Sequence, residues 1–188
     1  TAYAKSKVLA EKKLKKISTD RFNVVCLRFA TACGYSKNIR LDLVLNDFVA
    51  SAIVNKEVVV LSDGSPWRPM IHVKDMARAI DWAIKGKIKD NFLAINAGNN
   101  SMNYQIKDIA KKVGKLIKGT KISINSAALP DKRSYKVNFS KFEKMNKKFK
   151  PIYDLEKSII DLKNNYIKNR FKTKNFRNSQ FIRLKVLE

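Results

Sequence analysis

An α/β fold built on a largely parallel sheet is the class this chain predicts, and three observations predict it. Short β-branched runs alternate with helix-length amphipathic segments throughout the 188 residues. Turn signals such as Asp63-Gly64 and Gly98-Asn99-Asn100 fall between those segments. Hydrophobic residues make up 45%, enough to pack a core and to exclude wholesale disorder.

Taken in order, Thr1 to Ile17 is rich in Ala, Leu, Lys and Glu with no Gly or Pro, a helix. Asn23 to Phe29 has the length and branching of a buried strand, and Cys26 within it reads as core. Leu41 to Val54 places apolar residues on a helical face; Val58 to Leu61 is a strand, and Trp67 to Val73 a weaker one. Asp75 to Lys85 is helical with Asp75 as its N-cap, and Phe92 to Asn96 is a strand. Tyr104 to Ile117 is an amphipathic helix that Asn103 could cap, followed by a short strand at Lys121 to Ile124. A loop at Ala127 to Lys136 precedes helices at Phe139 to Lys147 and Asp154 to Lys168. The tail from Arg170 shows little periodicity.

The formal charge is +24, carried by 40 Lys and Arg against 16 Asp and Glu. Only nine of those cations are Arg, and the Lys are scattered, without an Arg-rich helix or an RNA-binding signature. Salt-sensitive affinity for polyanions follows, but not specific nucleic-acid recognition. A basic nucleic-acid-binding module is nonetheless the second functional class this composition allows. Two cysteines and one histidine do not make a disulfide framework or a Cys/His zinc site. No apolar run approaches the roughly 20 residues of a membrane span, and no signal peptide is visible, so a cytoplasmic location is expected.

The chemistry-bearing pattern is Tyr3-Ala4-Lys5-Ser6-Lys7. Tyr3 and Lys7, at i and i+4, share a helix face, and an ammonium beside a phenol favours the phenolate. Such a pair moves a proton to or from an alcohol or carbonyl.

Five blocks stand in series: YAKSKVLAEK, NVVCLRFATACGYS, DGSPWRPMIHVKDMARAI, NAGNNSMNYQIKDIA and DKRSYKVNFSKF. In this order and spacing the chain resembles the C-terminal part of the extended short-chain dehydrogenase/reductase family. More narrowly, it resembles its NAD-dependent epimerase/dehydratase enzymes acting on nucleotide sugars. The resemblance implies the last part of a Rossmann-like doubly wound parallel sheet plus a small α/β substrate-binding domain. Residues 1–35 would close the NAD(P)-binding unit, and residues 36–188 would mainly bind the nucleotide sugar, with some segments returning to the sheet.

It also implies that a Gly-rich turn and a carbonyl-polarising Ser or Thr precede Tyr3. The chain would then be an N-terminally truncated enzyme, inactive alone, as its start at Thr1 also indicates.

The family pattern makes Tyr3 the catalytic acid/base and Lys7 its ribose-holding partner, with NAD or NADP as cofactor. Thr31 falls near the nicotinamide where relatives usually have Asn, and Ala32 where Pro or Val is usual. Asn46, Arg68, Asn103, Arg133 and Tyr135 match positions that hold the substrate's diphosphate and nucleoside. His72 reads as a packed strand residue, and Trp67 as a core aromatic rather than a base-stacking one. Pairing of two copies through the Tyr/Lys helix is implied for the full-length protein. A non-catalytic relative serving as an interaction subunit is the third possibility, and the presence of both Tyr3 and Lys7 argues against it.

Overall fold

The computed structural model describes residues 1–86, 88–128, 134–147 and 150–182. Helix α1 (Ala2–Ile17) forms as its composition dictates, with the Thr1 hydroxyl accepting from the Ala4 amide at 3.2 Å. None of its residues is buried. The two-point pair of Arg28 with Glu11, 2.8 Å at Nε, ties it to strand β1 (Val24–Phe29). Ala30 alone separates β1 from β2 (Thr31–Cys33), after which come α2 (Val44–Val54), β3 (Glu57–Val60) and β4 (Trp67–His72). Then follow α3 (Val73–Lys85), β5 (Phe92–Ala97), β6 (Asn103–Gln105), α4 (Ile106–Leu116), β7 (Lys121–Ile124), α5 (Ser140–Met145) and α6 (Leu155–Lys168).

Among the described residues, three of the four strand pairings are parallel: β1 with β5, β2 with β4, and β3 with β7. The remaining pair, β4 with β6, is antiparallel, with Arg68 opposite Tyr104. The mixed α/β class is therefore as expected, with β6 added as an antiparallel edge strand. Cross-chain parallel pairing needs the intervening helices, which is why strands and helices alternate.

Among the described residues two main apolar cores form, with a third, small cluster of Ala30, Ile71 and Phe139 beside them. The larger is built by α2, α4, α6 and β3 and includes Leu45, Val49, Val58, Ile109, Ile159 and Leu162. The smaller joins β1, α3 and β5 through Leu93, Ile95, Ala79 and Phe142, with Trp82 edge-on to Phe142 at 5.2 Å. Helix α2 is apolar nearly all round because it is packed by α4 and α6 as well as β3; seven of its residues are buried.

Several expectations need correction. The cap of α3 is His72, whose Nδ1 accepts from the Lys74 amide at 3.2 Å; Asp75 lies within the first turn. The Asp75 carboxylate, 1% exposed, accepts instead from the Ile152 and Tyr153 amides and from Arg78. Asn103 does not cap α4: residues 103–105 pair with β4, so α4 starts at Ile106 with Gln105 at its cap position. The buried thiol is Cys33, while Cys26 is half-buried. Trp67 is likewise half-buried, its ring covered by the Lys136 ammonium at 3.6 Å.

The tail is also more ordered than its lack of period implies. Phe176 is fully buried beside Phe171, and the Leu41 amide donates to the Phe181 carbonyl.

Candidate active site

Helix α1 keeps Tyr3 and Lys7 on one face, with the Lys7 ammonium 5.3 Å from the centre of the Tyr3 ring. Tyr3 is 72% exposed, open to a ligand rather than packed. The neighbouring side chain in charge terms is Arg40. Its guanidinium is held above its ordinary range first by its two bonds to Asp42, and in small part by the Tyr3 phenol. A cleft opens at Leu41 and Asp42, next to Arg40 in the chain.

That cleft has a volume of about 650 Å³ and an apolar floor. Thr31 at the start of β2, the 41–48 segment entering α2, the end of β3 and Arg68 on β4 form its walls, closed by Arg177 and Ile182 from the tail. Two of the expected site residues, Thr31 and Arg68, are thus brought together. Tyr135 joins them: the Arg68 guanidinium lies 5.8 Å from its ring centre. The 134–139 segment is strapped onto β4 and β6 through Ser134, Tyr135 and Val137, which is what positions that ring. Arg133 lies outside the described residues. Tyr3 and Lys7 stand outside the cleft wall.

Two expected residues turn their side chains to the backbone. Asn46 is 3% exposed; its Oδ1 accepts from the Gly34 amide at 3.0 Å and its Nδ2 donates to the Arg40 carbonyl at 3.0 Å. It folds the 34–40 loop against α2. Asn103 does the same for the 134–139 strap, exchanging bonds with the Val137 amide and carbonyl.

A cluster that the sequence reading missed surrounds His72. Its side chain is fully buried, Nε2 lies 3.2 Å from Asp161 Oδ2, and Tyr153 stacks on the ring at 3.8 Å. Because Nδ1 accepts from the Lys74 amide, Nε2 carries the proton and donates to Asp161. Lys74 completes the group, reaching Asp161 at 2.9 Å and the Tyr153 hydroxyl at 3.0 Å. Burial holds the His72 imidazole below its ordinary pKa. Burial opposes ionisation of Asp161, but Lys74 and His72 outweigh it and hold the carboxyl below its ordinary range. Asp161 lies 89 residues from His72, so no local pattern could have announced the pair. Gly34 closes the other side with φ +105°; a Cβ there would sit 2.4 Å from His72 Nε2.

No group of His, Cys, Asp and Glu suited to a metal ion occurs among the described residues, and no helix there is long and apolar enough to cross a membrane.

A mixed α/β scaffold with parallel strand pairing, carrying an exposed Tyr/Lys helix pair, belongs to the Rossmann-like class. Within it, the model of the NAD dependent epimerase/dehydratase family matches residues 1–98, and the chain belongs to that family.

Solved structures share the fold. UDP-glucose 4-epimerase from Bifidobacterium longum, in complex with NAD+ and UDP, superposes with a TM-score of 0.72 at 22% identity, over 89% of this chain and 55% of that one. ADP-L-glycero-D-manno-heptose-6-epimerase from Helicobacter pylori gives 0.67 at 19% identity, over 88% and 50%. dTDP-glucose 4,6-dehydratase from Bacillus anthracis, in complex with NAD, gives 0.65 at 20% identity, over 83% and 48%. The chain therefore spans about half the length of the structures it matches.

Proposed function

We propose that this chain is part of an NAD(P)-dependent enzyme that oxidises a hydroxyl of a nucleotide-diphosphate sugar, as an epimerase, dehydratase or reductase. The observation that carries the reading is the Tyr3/Lys7 pair on one open helix face, inside the segment matched by the family.

The donor set fits the chemistry of the nicotinamide end of the cofactor: a phenol, an ammonium and the Thr31 hydroxyl. When bound, NAD or NADP would supply the hydride acceptor. Tyr3, as the phenolate, would take the proton of the sugar hydroxyl and become the neutral phenol, and Lys7 would stabilise the phenolate and hold a ribose hydroxyl. Arg68 would grip the diphosphate in a fork, with Tyr135 and Arg133 beside it. Asn46 and Asn103 would act through the loops they fold, keeping the cleft open and the sugar oriented. In the same reading the β1–β5 core belongs to the cofactor unit, the α2–α4–α6 core to the substrate unit, and two copies pair through exposed α1.

In the enzyme that carries this sequence, Tyr3→Phe should lower kcat for a nucleotide sugar by at least about 100-fold while substrate Kd changes little. Unchanged turnover in that variant would remove Tyr3 from the chemistry.

A further inference from the structure

The cleft presents an electrostatic problem to an anionic ligand. Asp42 and Asp47 both line it, Asp47 in the first turn of α2, where a phosphate would otherwise meet a favourable helix end. Both acids are answered by an arginine. Asp42 takes Arg40, two residues away. Asp47 takes Arg177, which arrives from the far end of the chain and makes two bonds, Nε to Oδ1 at 2.8 Å and Nη2 to Oδ2 at 2.7 Å. Arg177 is fixed in that position by a third bond to Ser51 at 3.2 Å and by its neighbour Phe176, which is fully buried. Both members of the pair lie in the cleft wall with Arg68.

We propose that Arg177 sets the charge of the cleft: by holding Asp47 in a two-point pair, the tail makes the entrance of α2 acceptable to the diphosphate of a nucleotide ligand. This rests on the nucleotide-sugar reading above and adds a positioning residue to it. Arg177 acts through Asp47. Without it, a bare carboxylate faces the diphosphate beside Arg68, and like charges in a partly enclosed cleft repel strongly.

The test is calorimetric titration of the 188-residue chain with uridine, thymidine and adenosine diphosphates, each against its neutral nucleoside. Arg177→Gln should weaken the best diphosphate about tenfold and leave its nucleoside nearly unchanged. Arg177→Gln combined with Asp47→Asn should recover affinity to within about threefold of the parent, because the repelling charge is gone. The loss in the single variant should shrink as salt rises. If the single variant binds the diphosphate as the parent does, or the double variant stays as weak as the single, the tail serves packing alone and the proposal is overturned. If the folded parent binds none of the diphosphates, it is the nucleotide-sugar reading that fails, and this inference falls with it.

Discussion

At the scale of single residues, the most constrained side chain is His72. It caps α3, stacks on Tyr153, donates to Asp161 and fills the space that Gly34 leaves. Its environment fixes the sign of a pH effect. The folded state holds the imidazole neutral, whereas the unfolded chain takes up a proton below about pH 6.5. Protons therefore favour the unfolded state, and stability present at neutral pH is lost as the pH falls from there through the depressed folded value. Asp161, held ionised by Lys74 and His72, adds its own loss only below about pH 4. Thermal melts from pH 7.5 to 5 should show Tm falling with acid in the parent. His72→Asn, though less stable throughout, should show a flatter profile over that range. Equal slopes would assign the acid sensitivity elsewhere.

At the scale of elements, the strands and helices were readable because their periods are local properties. The places that misled are those where a distant segment decides the outcome. Asn103 to Gln105 has a composition that suits a helix start, yet these residues pair with β4, and that ladder delays α4 to Ile106. Asp75 has the chemistry of a cap, but the 150–153 loop claims its carboxylate and His72 takes the capping role. Of the site, the Tyr3/Lys7 spacing on one helix face was visible in the sequence, whereas the meeting of Thr31 and Arg68 in one cleft wall was not. Nor were the inward turn of Asn46 and the arrival of Arg177, since each depends on a loop closing in three dimensions.

The tail after α6 is the clearest case. Its phenylalanines 171, 176 and 181 follow no regular period, but they converge as a cluster, with ring centres 6.0 Å and 5.7 Å apart about Phe171. Phe176→Ala should cost about 3 kcal/mol in urea unfolding, the usual cost of emptying a buried aromatic site. A change within the error of the parent would show that the tail rests on the core without supporting it.

At the scale of the whole molecule, the +24 charge comes from Lys and Arg scattered along most of the sequence. Charge of that kind keeps chains apart and draws anions of any sort. In the proposed reading selectivity comes from the cleft, where pairing of each acid with its own arginine leaves shape and a few directed cations to choose the ligand.

The two thiols differ in a way that makes the molecule its own reporter. Cys33 is sealed beneath α2 and α6, and burial pushes its thiol up to about 12, so at neutral pH it offers an alkylating reagent neither access nor thiolate. Cys26 is only half-covered. Iodoacetamide on the native chain should mark Cys26 and spare Cys33, and mass spectrometry after graded urea should find Cys33 reacting only as the chain opens. The rate of that second modification then measures how often the interior of this protein is exposed to water.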